Sequence, residues 1–270
     1  MASNINAELD SGPGACRCCG GTLAPSFKLQ VLHRHDVVYL VCTACGSLQT
    51  QPPYWLAEAY ASNLSNLDTG AAQRNLKNLA ASHVVIRLLG LPRVLDVGGG
   101  DGLLCRLLRD HGADCYVQDK YAKPAYAQGY DRAPFDVPDL VLAFEVFEHL
   151  ANPINEIEPF FAGRPAAVLV STELYEGQGA DWHYLAPESG QHVFFYSRRA
   201  LQGVAVRFGY HLLVVGEFRL FFRAGVAGLL EINLLRLLLR PRVCRWVAAV
   251  MMLRATPGVM RDHLTRKSHP

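Results

Sequence analysis

Three observations predict an α/β fold with a doubly wound, Rossmann-like sheet. The first is Val94-Leu95-Asp96-Val97-Gly98-Gly99-Gly100-Asp101-Gly102, a β-branched run that ends in a glycine turn. The second is a strand from Ala113 to Gln118 that ends at Asp119. An acid there, about 20 residues after the glycines, is where such folds hydrogen-bond ribose hydroxyls. The third is an apolar strand, Asp139 to Phe144, followed by Glu145-Val146-Phe147-Glu148-His149-Leu150.

The turn has a direct physical reading. Glycines at 98, 100 and 102 allow a tight turn and leave no Cβ between backbone and ligand. The helix predicted from Leu103 to Arg109 opens there, with its free N–H groups aimed at the same spot. The G-x-G-x-G spacing departs from the dinucleotide G-x-G-x-x-G, and the G-K-[S/T] of a phosphate loop is missing. The ligand need not be a phosphate. Asp96, just before the first glycine, suits a cationic or amino-bearing ligand.

Leu95 to Gly102, Asp119 and Glu145-Val-Phe-Glu-His149 resemble the class I S-adenosylmethionine-dependent methyltransferases over roughly residues 80–220. The resemblance implies a Rossmann-like seven-stranded sheet and S-adenosylmethionine as cofactor. It further implies that Asp96, Gly98, Gly100 and Gly102 hold the methionine part and Asp119 the ribose. Glu145 would face the methionine end or the acceptor. A Rossmann domain for another nucleotide is the alternative.

Composition narrows the class. The chain has 270 residues, half of them apolar, enough for one α/β domain plus an appendage. With 26 basic and 24 acidic residues the charge is nearly balanced, which gives no general case for nucleic-acid binding. Residues 1–14 have no apolar signal-peptide core, and no apolar run reaches the ~18 residues of a spanning helix. The expected location is cytoplasmic. The expected organisation is a zinc ribbon over 1–51, a methyltransferase domain with cover helices over 52–223 and a helical tail over 224–270.

The cysteines carry the second motif. Cys16-Arg-Cys18-Cys19-Gly20 and Cys42-Thr-Ala-Cys45-Gly46 are two C-x-x-C-G knuckles, and Phe27 to Leu32 with Val37 to Val41 reads as a hairpin between them. Two such knuckles predict a tetrahedral zinc site of Cys16, Cys19, Cys42 and Cys45. Four thiolates leave no open coordination position, so the metal is structural. Cys18 is read as a spare that could substitute for Cys16 or Cys19, and Cys105, Cys115 and Cys244 as core thiols.

Gln51-Pro52-Pro53-Tyr54 is similar to the Asn/Asp-Pro-Pro-Tyr motif of amino-group methyltransferases, but that motif belongs after the fourth strand. This chain has Ala143-Phe144-Glu145-Val146 there, which disfavours base N-methylation. Helices are expected over Tyr54–Leu64 and Asn75–Leu89. Asp68 and Arg74 are candidates to face the cofactor or to clamp the helix, or are a solvated turn and a surface charge.

On the substrate side, a helix from Asn152-Pro153 to about Phe161 and a strand from Ala166 to Ser171 precede a long polar and aromatic loop, 172–191. Loops of that length are commonly functional. Trp182 and Tyr184 are candidates to stack on a sugar ring. His192 is the first candidate general base, with His183 behind it and Glu145 as a third catalytic candidate. A structural role for His192 is the alternative.

Ser189-Gly190-Gln191-His192, followed by Phe195-Tyr196-Ser197, resembles the tail of a zinc-ribbon methyltransferase family that includes deoxysugar C-methyltransferases. That family carries Tyr-x-Glu-His. Here the histidine is kept and the tyrosine and glutamate are not, which favours O-methyl transfer needing a single base.

A helix from Ser197 to Phe208 and strands at His211–Glu217 and Phe218–Phe222 complete the sheet. Beyond them, helices over Val226–Arg240 and Val243–Leu253 combine leucines with Arg236, Arg240, Arg242 and Arg245. That pattern suits an interfacial helix on the inner face of an anionic membrane, or a cap packed on the domain or a second subunit.

The function expected is methyl transfer from S-adenosylmethionine to a sugar or glycan hydroxyl, with a small-molecule or glycan partner. The rivals are an RNA methyltransferase gripping nucleic acid with its ribbon, and a non-catalytic cofactor-binding scaffold.

Overall fold

The computed structural model describes residues 14–61 and 69–268, which gather into two compact units. Chain order is not respected. Of the described residues, the first unit takes 14–61 together with 147–158 and 173–207, and the second takes 69–146, 159–172 and 208–268.

The first unit is built on a four-stranded antiparallel sheet. Its hairpin, β1 (Leu23–Val31) and β2 (His35–Cys42), continues into β3 (Leu48–Thr50). A short helix α1 (Leu56–Ala59) follows. The sheet is completed by a strand from far along the chain, Phe194–Phe195, paired with Leu48 and Gln49. Arg17 ties these pieces together. Its guanidinium donates to the carbonyls of Thr50, Ala151 and Val193 at 2.7–3.0 Å. Val37, Tyr39, Leu48, Trp55, Val193 and Phe195 form its core.

The second unit holds the mixed sheet. After helix α2 (Ala71–Leu89) come β4 (Arg93–Val97), α3 (Leu103–Asp110), β5 (Asp114–Gln118) and β6 (Leu140–Phe144). Helix α4 (Pro153–Glu156) belongs to the first unit, and α5 (Glu158–Phe161) leads to β7 (Ala167–Ser171). The strand at Phe194–Phe195 is β8. Helix α6 (Arg198–Phe208) precedes β9 (His211–Val215) and β10 (Phe218–Phe222). The order across the sheet is β5-β4-β6-β7-β10-β9; β5, β4, β6 and β7 are parallel, and β10 runs antiparallel to both β7 and β9. The core residues on its strands include Val94, Leu140, Leu142, Leu169 and Leu220.

Two expectations are corrected here. The sheet has six strands among the described residues, not seven. The segment 120–139, between β5 and β6, is turns and bends; it carries Pro124, Pro134 and Pro138, each without a ladder N–H. The single helix expected up to Phe161 is broken after Glu156 into α4 and α5, with Pro159 in the second piece.

The tail forms three helices: α7 (Leu229–Leu238), α8 (Pro241–Met252) and α9 (Pro257–Ser268). The third was not expected. Leu235, Leu239, Cys244 and Met251 join the core of the second unit, so one face of α7 and α8 is a cap on the domain. The expected helix over Tyr54–Leu64 appears only as α1; residues 62–68, with Asp68, lie outside the described residues.

Candidate active site and cysteine cluster

The glycine turn, Asp119 and Glu145 all follow the carboxyl ends of parallel strands β4, β5 and β6. The strand order reverses at β4, with β5 on one side and β6 on the other, which is where open α/β sheets take their ligands. Gly98, Gly100 and Gly102 all have φ between +54° and +78°, the left-handed region that a Cβ disfavours. Gly99 is held for another reason: a Cβ there would run into the Asp96 carboxylate and Val117.

Asp96 is fully buried, and its Oδ2 has no hydrogen-bond partner among the described residues. Burial, with Asp119 adding repulsion, pushes its carboxyl up to about 7. A buried acceptor without a donor, beside a glycine-rich turn, fits a ligand that brings its own donor. Asp119 accepts from the N–H of Gly100 at 2.9 Å through Oδ2, and from Tyr121 and Ala122 at 2.7 and 2.8 Å through Oδ1. The two oxygens of a carboxylate offer about four acceptor sites, so one remains for a hydroxyl. These residues fit S-adenosylmethionine: Asp96 and the turn toward an amino group, Asp119 toward ribose.

Glu145 occupies the left-handed region at φ +53°, a strained position for a side chain of its kind. Ser171, at the end of β7, holds it there. The Ser171 Oγ donates to Glu145 Oε1 at 2.6 Å, and the Glu145 N–H meets Ser171 Oγ and O at 3.1 and 3.2 Å. Nothing in the sequence pattern singles out Ser171.

In the first unit a second group of residues surrounds His192. Its Nδ1 lies 2.7 Å from the Tyr184 carbonyl, and its ring meets the His149 ring edge-on at 4.9 Å between centroids. The Tyr184 hydroxyl donates to the buried Glu148 at 2.7 Å, and the Tyr60 hydroxyl meets His149 Nδ1 at 3.3 Å. Burial and the neighbouring His192 push the His149 imidazole down to about 3, so it stays neutral. Glu148, His149 and His192 offer three ligand atoms within 4.8 Å of one another. Tyr184, a candidate to stack on a sugar, is buried in the core, while Trp182 is half-buried against Tyr175, Tyr184 and Phe195. His183 lies apart, 78 % exposed and 3.1 Å from Glu173. Arg74 sits in the first turn of α2.

The four knuckle cysteines converge. Cys16, Cys19, Cys42 and Cys45 place all four Sγ atoms within 4.8 Å, with Cys16–Cys45 at 3.8 Å and Cys19–Cys42 at 3.6 Å. A disulfide needs about 2.05 Å. A tetrahedron with Zn–S of about 2.3 Å has an edge of about 3.8 Å, which these separations match. Cys18 is not part of the cluster.

A glycine turn, a strand-end acid and a mixed sheet with a parallel half define a nucleotide-cofactor domain of the methyltransferase type. A family model described as a methyltransferase domain matches residues 57–215, more than half of the chain, and the chain belongs to that family: it is an S-adenosylmethionine-dependent methyltransferase. No curated protein matches it. Among solved structures it is similar to the methyltransferase domain of bacterial CtHen1, with 20% identity, 55% of this chain and 98% of that chain covered, and a TM-score of 0.40. It is also similar to the magnesium protoporphyrin IX methyltransferase of Synechocystis PCC 6803 with bound cofactor, with 14% identity, 63% and 89% covered, and a TM-score of 0.40. A third is CalO1, a methyltransferase in calicheamicin biosynthesis, with 15% identity, 54% of each chain covered and a TM-score of 0.37. The family assignment rests on the family model.

Proposed function

We propose that this enzyme methylates a hydroxyl group of a sugar, carried on a nucleotide or on a lipid-linked glycan. The observation that carries the reading is the setting of His192, whose Nδ1 is held 2.7 Å from the Tyr184 carbonyl. A carbonyl can only accept, so Nδ1 carries the proton and Nε2 keeps its lone pair. That is the tautomer a general base needs. Glu148 positions Tyr184 through its hydroxyl.

Bound S-adenosylmethionine supplies an electrophilic methyl group for transfer to a nucleophilic oxygen. The rest falls to side chains. Asp96, the turn from Gly98 to Gly102 and Asp119 bind and orient, and Glu145, fixed by Ser171, sets the edge of that site. His192 takes the hydroxyl proton at Nε2. One base suffices for an oxygen acceptor, which is why a sugar hydroxyl is preferred to a ring carbon or a base amine. Zinc held by Cys16, Cys19, Cys42 and Cys45 is structural, since four thiolates complete its shell.

The grouping of Glu148, His149 and His192 favours one second reading, in which these residues hold a divalent cation that lowers the pKa of the acceptor hydroxyl. The test is methyl transfer from labelled cofactor to a panel of nucleotide sugars and polyprenyl-linked glycans, with and without a chelator too weak to strip four thiolates. An acid-stable methyl ether formed equally in both conditions supports the base reading. Loss on chelation, restored by a divalent ion, selects the cation reading. Transfer only to amines or RNA overturns the sugar assignment.

A further inference from the structure

The surface of α7, α8 and α9 has the chemistry of a lipid interface. Residues 224–270 contain eight lysines and arginines and two acids, whereas the whole chain has 26 and 24. Asp262 is buried between Arg106 and Arg109, and only Glu231, which caps α7 by accepting the Gly228 N–H at 2.9 Å, is partly exposed. The net exposed charge on these helices is therefore strongly cationic.

The same surface is apolar. Leu229, Leu230, Trp246, Leu253, Met260 and Leu264 are all exposed; Trp246 is 66% accessible and Leu253 89%. The pattern follows the helical period. On α8, Arg242, Arg245, Trp246 and Ala249, with Leu253 just past its end, are exposed while Cys244 and Met251 are buried. Leucines and a tryptophan between arginines, on a face already backed by protein, form the layout of a helix lying in a lipid interface.

Other occupants fit less well. A second copy would bring the same cations against these, and nucleic acid has no use for exposed leucines and methionines. Crossing the bilayer is also disfavoured. No single helix among the described residues is long and apolar enough; α8 and α9 reach that length only together, and they are bent by 56°. Asp262 on α9 is moreover locked to α3.

We propose that α7–α9 dock this enzyme on an anionic membrane surface, with the arginines on lipid phosphates and the exposed leucines and Trp246 among the upper acyl chains. The proposal does not depend on which acceptor is methylated.

The experiment is flotation of the full-length, metal-loaded enzyme with vesicles of phosphatidylcholine alone and with 30% phosphatidylglycerol as the probe, a fraction set at about a third for surface potential. Trp246 gives a second readout. Of the three tryptophans, Trp55 is buried and Trp182 half-buried, so a lipid-induced blue shift of emission that is lost in Trp246→Phe reports insertion of this face. Binding to anionic vesicles only, weakened roughly 25-fold in R242Q/R245Q at about fivefold per charge, is the expected result. The variant's unchanged affinity for S-adenosylmethionine shows that it is folded. Failure of the wild-type chain to float with anionic vesicles overturns the proposal. So does binding with no emission change, unaltered binding in R242Q/R245Q, or a stable dimer that shields Trp246 from a soluble quencher.

Discussion

Arg109 and Asp262, 153 positions apart, form a two-pronged ion pair, with Nε–Oδ2 at 2.7 Å and Nη2–Oδ1 at 2.9 Å. Both side chains are about 5–6% exposed. Arg109 lies on α3, the helix that springs from the glycine turn, and Asp262 on the last helix of the tail. Arg109 also covers the Tyr130 ring at 3.6 Å. Gly258 completes the junction, because a Cβ there would occupy the place of the Arg109 carbonyl. The tail is thus pinned to the element that shapes the cofactor site.

Removing one partner of such a buried pair leaves a stranded charge. Asp262→Ala is expected to destabilise the second unit by about 3–5 kcal/mol, read as a lower urea midpoint. There is a pH signature as well. Burial alone would raise the Asp262 carboxyl, but hydrogen bonds from Arg109 and Arg106 outweigh it and hold the group well below the ordinary range. Its contribution is present above the unfolded value of about 4 and is lost as pH falls through the lowered folded value. Wild-type stability should therefore drop below about pH 4, and Asp262→Asn should flatten that limb.

Asp96 behaves in the opposite sense. Its carboxyl is raised to about 7 when the turn holds no ligand. Its contribution to stability is complete below about pH 4 and fades as pH rises to 7, by roughly 4 kcal/mol at most for a shift of about three units. Asp96→Asn should remove that slope in thermal melts from pH 5 to 8 and weaken cofactor binding in calorimetry at both ends. A slope unchanged by the substitution would mean that Asp96 is not the group responsible.

Cys42→Ser should lower zinc content from one per chain and leave the ribbon half of the first unit sensitive to protease, since thiolate-bound zinc contributes folding energy directly. Cys18→Ser, outside the cluster, should retain the metal. Equal zinc loss in both variants would mean that the ligand set is different.

His192→Asn is expected to lower kcat by about 100- to 10,000-fold, the range for a lost general base, with cofactor affinity unchanged. His183→Asn, at an exposed position beside Glu173, should change kcat by less than a few-fold. The reverse ranking would transfer the base role to His183.

Most of the local architecture was legible because it is written in local physics. The β-branched runs at Val94, Val141 and Val168 become strands within a residue or two of their expected ends, the glycine turn is a turn, and the paired knuckles bring four sulfurs together. Each depends on neighbours a few positions away. Expectations failed where neighbours could not decide. The resemblance implied a seventh strand that no stretch of the sequence was assigned to, and the sheet has six among the described residues. Tyr184, a candidate to stack on a sugar ring, is buried with its hydroxyl on Glu148.

The sequence by itself determined a glycine-turn cofactor domain with a four-cysteine ribbon, because backbone freedom at glycine and the reach of a C-x-x-C turn are properties of short segments. Only the tertiary structure decided that Phe194–Phe195 closes the ribbon sheet, that Ser171 fixes Glu145, that Tyr184 sets the tautomer of His192, and that Asp262 seals the tail to Arg109. Those contacts join residues up to 153 positions apart, through hydrogen bonds that are buried or partly buried and gain worth as water is excluded. No periodicity in the chain encodes them; they exist only once both sides of each pair have been packed.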